Sequence, residues 1–364
     1  MCTAVRFVDT KGNLYFGRNL DWTSDYRERI VVTPAEASVA SAFENPPIFH
    51  DSSSFKSYSA PDNHSTAESC STSTDYSEIL DHPSYTVIGV GIIQEKIPLY
   101  FDCANEMGLA VAGLNFSQST AYMDVKEAEA SKAESYYVAA YEFPFWVTRN
   151  FASVKTLKEV LNRVVIVGKP LNEQLPVAKL HWIISDAKEC IVVECLEDGL
   201  KIWENDVQVL TNEPEFGWHR QNLRNYISLN INDPSSNNWA DANLIPFGSG
   251  GGMQGIPGDY SSPARFVKAS FIANHYPIQQ NENNNVVRMF RTLGSVAVPK
   301  GCVRVEGGCS NDRPEAPSFE KTLYSSCYST KTKTYYFQRY EDLQNTAVCL
   351  DKITDEVAVP FYAS

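Results

Sequence analysis

Cys2 combines two chemical groups that can act together. It directly follows Met1, and a small residue at position 2 generally permits removal of the initiator methionine. The mature chain would then begin with a cysteine that carries both a thiol and a free α-amine. An α-amine with a pKa of roughly 7.7–8.0 can accept a proton near neutral pH, and a thiol is a strong nucleophile once its proton has moved. The position of Cys2 therefore allows two interpretations. Cys2 could supply both a nucleophile and its base, or it could be an ordinary cysteine in a strand.

Other kinds of chemistry have little support in the sequence. The 364-residue chain has 31 Lys and Arg against 44 Asp and Glu, and this net charge of -13 argues against a nucleic-acid partner. The six histidines show no HExxH or paired-ligand spacing, so we expect no metal. Residues 250–255 match G-x-G-x-x-G, but no clear strand precedes them and Pro257 follows. We interpret them as a loop and expect no organic cofactor.

The nine cysteines bear on the compartment of the protein. No secretory signal precedes residue 30, and no run of 18 apolar residues could span a membrane. Without export, the cysteines indicate reduced thiols rather than a disulfide framework. The sequence therefore predicts a cytoplasmic protein without a membrane span.

Strands are the elements that must position Cys2. Residues 2–8 and 14–19 predict a hairpin around a turn at 9–13, which places Cys2 at the start of a strand. Further strands are expected at 30–33, 85–93, 99–102, 109–113, 181–185, 191–194, 200–203, 207–210, 322–328 and 334–340, with one hairpin over 181–194 and another over 200–210.

Helices are predicted mainly between these groups of strands. They are expected at 135–150, at 153–163 with Ser153 as the N-cap, and at 216–227, 263–275 and 284–294. This order of sheet, helices and sheet is not a regular βαβ alternation. It disfavours Rossmann and TIM-barrel folds and favours a layered α+β fold.

A change of composition marks one long segment. Residues 38–77 contain twelve serines and a single basic residue, Lys56, with weak apolar periodicity. We interpret residues 36–80 as a mobile insertion or long surface loop, with a lid over a substrate site as the alternative.

Several co-linear stretches resemble the choloylglycine hydrolase family, which contains the conjugated bile salt hydrolases and the penicillin V acylases. They are residues 1–7, 16–22, 105–116, 180–186, 209–219 and 255–266. The resemblance covers nearly the whole chain except about 36–80. It implies one N-terminal nucleophile hydrolase domain over residues 1–364. The implied fold is a four-layer αββα sandwich, with two mostly antiparallel sheets between helix layers.

The resemblance also implies roles for four charged or nucleophilic residues. Cys2 would attack an amide carbonyl carbon while its own α-amine relays the proton. Asp21 would anchor and orient that amine, as a third group orients the base of a triad. Arg18 would favour the thiolate, and Arg265 would add positive potential beside it.

The oxyanion hole and the substrate pocket are implied in the same way. Asn115 would donate a side-chain N–H to the oxyanion, and Asn212 would complete the hole by backbone or side-chain donation. Aromatic and apolar residues would line the pocket, although such residues at helical spacing usually belong to a core. These residues are Leu20, Trp22, Phe116, Tyr141 and Phe143.

The activity implied is hydrolysis of glycine- or taurine-conjugated bile salts, with a homotetramer as the implied assembly. A penicillin V acylase on the same machinery is the first alternative. Two others are a class II glutaminase-type amidotransferase, which should carry a further acceptor domain, and a non-catalytic ligand-binding protein that retains Met1. A measurement of the intact mass distinguishes this ligand-binding protein from the enzymes, because the proposed nucleophile requires that Met1 is absent.

Overall fold

The computed structural model describes residues 1–45, 84–131, 135–305, 318–342 and 344–353. Most of the serine-rich segment predicted at 36–80 lies outside these residues. The strands are β1 Cys2–Val8, β2 Leu14–Trp22, β3 Arg29–Thr33, β4 Val87–Gln94, β5 Ile97–Asn105, β6 Ala110–Asn115, β7 Tyr136–Ala139, β8 Val164–Val167, β9 Leu180–Ser185, β10 Cys190–Leu196, β11 Gly199–Glu204, β12 Val209–Leu210, β13 Asn237–Trp239, β14 Ala242–Leu244, β15 Val303–Val305, β16 Ser318–Ser329, β17 Thr334–Arg339 and β18 Thr346–Cys349. The helices are α1 Val125–Ala130, α2 Phe143–Asn150, α3 Val154–Leu161, α4 Phe216–Asn222, α5 Ser262–His275 and α6 Glu282–Gly294.

Two seven-stranded sheets form the centre of the fold. The first has the order β12-β1-β2-β16-β17-β18, with β15 also paired to β16, and the second has the order β11-β10-β9-β6-β5-β4-β3. All pairings within both sheets are antiparallel. Helices α5 and α6 pack on the first sheet, and α2 and α3 pack on the second. This arrangement confirms the predicted αββα sandwich.

The two-residue period of β1 and β2 decides which side chains face the second sheet. Cys2 pairs with Leu20 and Ala4 pairs with Arg18, so Cys2 and Arg18 lie on the same face. That face is the inner one, because Arg18 reaches carbonyl groups of the second sheet. Asn19 points the other way and donates to the carbonyl of Leu293 in α6.

Helix α6 can approach β2 closely because position 17 is glycine. A Cβ atom built on Gly17 would collide with the carbonyl oxygen of Ser326 in β16 and would lie 2.9 Å from the side chain of Met289 in α6. Any larger residue would therefore displace the backbone of β16 beside the strand that carries Arg18 and would shift the Met289 side chain.

The structure corrects the helix predicted at 135–150. Tyr136–Ala139 is instead strand β7, which pairs in parallel with β8, and only Phe143–Asn150 is helical. The first part has largely buried β-branched and aromatic residues that fit a strand, and Pro144 occupies the first turn of α2, where its missing N–H costs nothing. The helix at 153–163 is confirmed as α3, and the Ser153 hydroxyl caps it by accepting the Thr156 N–H.

The hairpin predicted over 200–210 is also wrong. Strand β11 stays in the second sheet, whereas β12 pairs with β1 in the first. The side chain of Asn205 stabilises the turn that leads from one sheet to the other. It accepts the N–H groups of Val207 and Gln208 and donates to the carbonyl of Val209. Gln208 adopts a positive φ of 67°, and the chain therefore turns toward β1.

Candidate active site

The Cys2 thiol lies against the guanidinium group of Arg18. Nη2 of Arg18 is 2.8 Å from Sγ of Cys2, and both side chains are buried between the sheets. Nη1 of Arg18 donates to the carbonyls of Phe101 and Gly113, each over 2.8 Å. Burial alone would lower the pKa of Arg18, but the negative charges of Cys2 and of neighbouring acidic groups outweigh it and raise that pKa. Arg18 is therefore a fixed cation aimed at the thiol.

A buried carboxylate lies behind Arg18. Asp102 accepts hydrogen bonds from the hydroxyls of Tyr324 (2.6 Å), Ser326 (2.9 Å) and Tyr335. The ring of Tyr324 also faces the Arg18 guanidinium, with 6.0 Å between the guanidinium carbon and the ring centroid. Burial raises the pKa of Asp102, while Arg18 and the hydroxyls oppose the rise. Because the hydroxyls satisfy Asp102, the N–H groups of Arg18 remain available for Cys2 and the two carbonyls.

Asn212 connects Cys2 with Arg265. Its Oδ1 accepts the Cys2 N–H and an Nη2 hydrogen of Arg265, each over 2.7 Å. Two donors at this atom fix which way the amide points, since only the oxygen can accept them. Its Nδ2 consequently faces Asn115 and donates to the backbone carbonyl there over 2.8 Å.

Arg265 reaches Cys2 from helix α5. Its Nη1 donates to the carbonyl oxygen of Cys2 and to the hydroxyl of Thr3. Burial lowers the pKa of Arg265, and the nearby charges of Asp21 and Cys2 oppose this shift. Arg265 thus contacts the backbone of Cys2, whereas Arg18 contacts its sulfur.

The Asp21 carboxylate is buried beside these groups. Oδ1 accepts the hydroxyl of Thr322 over 2.6 Å. Oδ2 lies 3.9 Å from Nη1 of Arg265 and has no hydrogen-bond partner within the part of the chain that the structure describes. The amine of Met1 contacts the backbone oxygen of Asp21 and pairs with Glu320 at 3.3 Å. With Met1 in place, the Cys2 nitrogen is a peptide amide whose hydrogen goes to Asn212.

All six residues predicted for catalysis thus meet in one cluster at the start of β1. The contacts above join Cys2, Arg18, Asp21, Asn115, Asn212 and Arg265. Sequence reasoning missed Asp102, which belongs to no motif. The signal available in the sequence was a carboxylate inside a buried strand whose other residues are mostly apolar or aromatic.

The residues predicted for the substrate pocket lie in different places. Leu20 is paired with Cys2, and Trp22 is a partly buried residue at the end of β2. Tyr141 is half-buried in the turn before α2, where burial and the nearby Glu142 and Glu95 raise its pKa to about 12. These three positions remain predictions for the pocket.

The other two aromatic residues predicted for the pocket, Phe143 and Phe116, are fully buried. Phe143 packs edge-on to Trp182, with 4.7 Å between ring centroids, in the core between the second sheet and its helices. This is the face of the sheet opposite to Cys2, because alternate residues of β6 and β9 face the two cores. Phe116 is fully buried and stacks on His181, with 4.2 Å between ring centroids, and its place in the pocket stays a prediction.

Within the described residues, no three His, Cys, Asp or Glu side chains form a group that could hold a metal ion. In the same part of the chain, no helix is both long enough and apolar enough to cross a membrane.

Comparison with known proteins agrees with this geometry. Residues 2–356 match the family described as linear amide C-N hydrolases, choloylglycine hydrolase family. The chain is 41% identical over 342 residues to a bile salt hydrolase/transferase of Bifidobacterium longum, covering 94% of this chain and 93% of the relative. It is 38% identical over 355 residues to a conjugated bile acid hydrolase of Lactobacillus acidophilus, covering 97% of each.

Solved structures show the same fold. A mutant conjugated bile acid hydrolase from Clostridium perfringens superposes with a TM-score of 0.75 at 28% identity, covering 97% of this chain and 94% of that one. A penicillin V acylase from Agrobacterium tumefaciens shares the fold, with a TM-score of 0.64 at 21% identity over 97% and 87% of the two chains. From the family match, the high coverage and the common fold, we conclude that this chain belongs to the choloylglycine hydrolase family of linear amide C-N hydrolases.

Proposed function

We propose that the protein hydrolyses the amide bond of glycine- or taurine-conjugated bile salts, with Cys2 as the nucleophile. The observation that carries this proposal is the 2.8 Å contact between Arg18 and the Cys2 sulfur at the start of β1. The names of the relatives, a bile salt hydrolase/transferase and a conjugated bile acid hydrolase, support the substrate class.

Removal of Met1 would convert the Cys2 amide nitrogen into a free α-amine. The sulfur then attacks the substrate carbonyl carbon, and the thiol proton passes to this amine. The tetrahedral oxyanion collapses, the C–N bond breaks, and glycine or taurine leaves with the proton. Water next attacks the thioester, which releases the free bile acid and restores the thiol.

Asn212 has one hydrogen left for the oxyanion. Its backbone N–H donates to the Ser262 hydroxyl over 2.8 Å, and one Nδ2 hydrogen goes to the carbonyl of Asn115. The second Nδ2 hydrogen is uncommitted among these contacts. We therefore assign side-chain rather than backbone donation to Asn212, with the Asn115 amide as the second donor.

The amine of mature Cys2 would have two acceptors. Oδ1 of Asn212 already lies 2.7 Å from the Cys2 nitrogen. Oδ2 of Asp21, which accepts no hydrogen bond among the described residues, would supply the negative charge that an ammonium group requires. Asp21 thus keeps its proposed anchoring role, and Asn212 shares it.

Substrate comparison tests this function directly. We expect faster hydrolysis of glycocholate and taurocholate than of penicillin V, measured as kcat/KM for each. Penicillin V is the necessary competitor because the acylase has the same fold. A much higher kcat/KM for penicillin V would overturn the substrate assignment, whereas no turnover of any of them would overturn the hydrolase proposal.

Intact mass tests the nucleophile separately. We expect the purified enzyme to lack the initiator methionine and to be unblocked at its amine. Active enzyme that retains Met1 would contradict the mechanism, because the Cys2 nitrogen would then be an amide without basicity.

We also propose that residues 1–364 form one cytoplasmic domain that assembles as a homotetramer. Free thiols at each of the seven described cysteines support a reducing compartment. Large apolar side chains exposed between residues 227 and 247, a range that includes the β13–β14 hairpin, support assembly, since exposed apolar surface favours contact with another chain. They are Ile227, Ile231, Trp239, Ile245 and Phe247. Sedimentation velocity should give a tetramer that Trp239→Ser weakens, and a wild-type monomer would refute the assembly.

A further inference from the structure

A buried pair of ionisable residues lies directly behind the two asparagines of the proposed oxyanion hole. Nδ1 of His181 is 3.0 Å from Oε1 of Glu194, and neither side chain has any exposed surface. The pair is outside the six catalytic residues and has no role in the nucleophile mechanism. Burying two ionisable groups costs free energy, so the contacts that offset this cost indicate the role of the pair.

Both nitrogens of the His181 ring face acceptors. Nε2 lies 2.8 Å from the carbonyl oxygen of Thr211, and Nδ1 faces the Glu194 carboxylate. A carbonyl can only accept, so Nε2 carries a hydrogen. Glu194 in turn accepts the backbone N–H of Phe216 and the indole N–H of Trp203, each over 2.9 Å. These two N–H donors favour a carboxylate that accepts at both oxygens, and such a carboxylate can only accept from Nδ1 of His181.

The ring of His181 also supports the other side of the hole. It stacks on Phe116 almost in parallel, with 4.2 Å between ring centroids and 5° between planes. Phe116 follows Asn115 in the chain, and Thr211 precedes Asn212. One imidazole ring therefore contacts the direct neighbour of each proposed oxyanion donor.

We propose that His181, held as an imidazolium by Glu194, is a positioning residue for the oxyanion hole. It sets the separation between Asn115 and Asn212 by holding the Thr211 carbonyl and the Phe116 ring at the same time. This inference rests on the proposed function, because the two asparagines donate to an oxyanion only if the hydrolysis forms one between them. A displacement of about 1 Å in such a site can lower the rate about 100-fold.

The charge state of the His181 ring can be measured without any substrate turnover. In enzyme labelled with ¹⁵N in its histidine rings, we expect an imidazolium signal by solid-state NMR at pH 8, where an exposed histidine with its usual pKa of about 6.5 is neutral. The signal should disappear in Glu194→Gln. If every ring were neutral at pH 8 in the wild-type enzyme, the proposal would be overturned.

Kinetics of Glu194→Gln test the positioning role. We expect kcat to fall about 10-fold to 100-fold while KM changes less than about threefold, because the loss concerns the transition state. Alkylation of Cys2 by iodoacetamide should match the wild type, since Arg18 is untouched. Glu204→Gln is the control, because Glu204 is exposed and pairs with Lys158. An unchanged kcat with a lost imidazolium signal would contradict the role.

Trp203→Phe is the second variant if Glu194→Gln does not fold. It removes one hydrogen bond to Glu194 and keeps most of the packing. We expect the same selective loss in kcat at about 3-fold to 10-fold, the usual net effect of losing one hydrogen bond. If the wild-type enzyme hydrolyses neither bile salts nor penicillin V, the proposed function fails, but the NMR result still decides the charge state of His181.

Discussion

Arg18 and Cys2 are diagonal neighbours on one face of the first sheet, and 2.8 Å separates Nη2 of Arg18 from Sγ of Cys2. Strand register produces this contact, because Cys2 pairs with Leu20 and Ala4 pairs with Arg18. Two carbonyls of the second sheet hold the rest of the guanidinium. The cation therefore cannot turn away from the sulfur without losing hydrogen bonds in a buried site.

Replacing Arg18 should make Cys2 less reactive. In Arg18→Gln we expect iodoacetamide to alkylate Cys2 about tenfold more slowly at pH 7, because a neighbouring cation favours the thiolate. Mass spectrometry of the N-terminal peptide measures the rate. Arg220→Gln is the surface control, since Arg220 pairs with Asp206 in solvent. Equal alkylation rates in Arg18→Gln and wild type would contradict this role of Arg18.

Loss of the Cys2 sulfur should abolish hydrolysis but preserve the fold. Within the described residues the thiol of Cys2 accepts one hydrogen bond, so we expect Cys2→Ala to keep the wild-type circular dichroism spectrum while product formation falls to background. Cys302→Ala is the matched control because Cys302 is an exposed free cysteine. Residual turnover by Cys2→Ala would show that another nucleophile does the chemistry.

Asp102 should matter mainly for stability. In Asp102→Asn, three hydroxyl donors would face an amide that has only one acceptor atom, so we expect the free energy of unfolding to fall by about 2 kcal/mol. Urea denaturation measures this change. The exposed Asp351, which pairs with Lys333, provides the control variant Asp351→Asn. A variant as stable as wild type would mean that Asp102 is already protonated and easily replaced.

His219 should make the folded protein sensitive to acid. Its Nε2 contacts the carbonyl of Asn212 over 2.9 Å, and burial lowers its pKa to about 4. The unfolded chain binds a proton near pH 6.5, whereas the folded protein does so only near pH 4. Stability from His219 is therefore complete above pH 6.5 and is lost as the pH falls from 6.5 to 4, by about 2–3 kcal/mol.

The variant His219→Gln isolates this contribution. Glutamine can still donate to the Asn212 carbonyl but does not titrate, so its free energy of unfolding should change less than that of wild type between pH 7 and pH 4. Urea denaturation at several pH values gives both curves, and the exposed His275 supplies His275→Gln as the control. Parallel curves for wild type and His219→Gln would rule out His219 as the source.

The Cys2 motif, the family stretches and the strands beside them could all be predicted, because these signals are local. A cysteine after Met1 is visible in two residues, and β1, β2 and the Ser153 cap of α3 follow from short patterns. Such short patterns gave a wrong prediction where the local sequence is compatible with both a helix and a strand. Residues 136–139 are a strand inside a stretch predicted as a helix, because pairing with β8 outweighed helical periodicity.

Contacts across long stretches of chain were decided only by tertiary structure. Arg265 reaches the backbone of Cys2 from 263 residues away, and Asp102 joins Tyr324 across 222 residues. Phe143 and Phe116 looked equally suited to a pocket in the sequence, but the fold packs Phe143 on the face of the second sheet opposite to Cys2 and stacks Phe116 on His181. The amino-acid sequence determined which groups can react. The packing of two sheets against each other decided which groups meet, because side-chain chemistry is local, whereas the face of a strand and its partner depend on the whole fold.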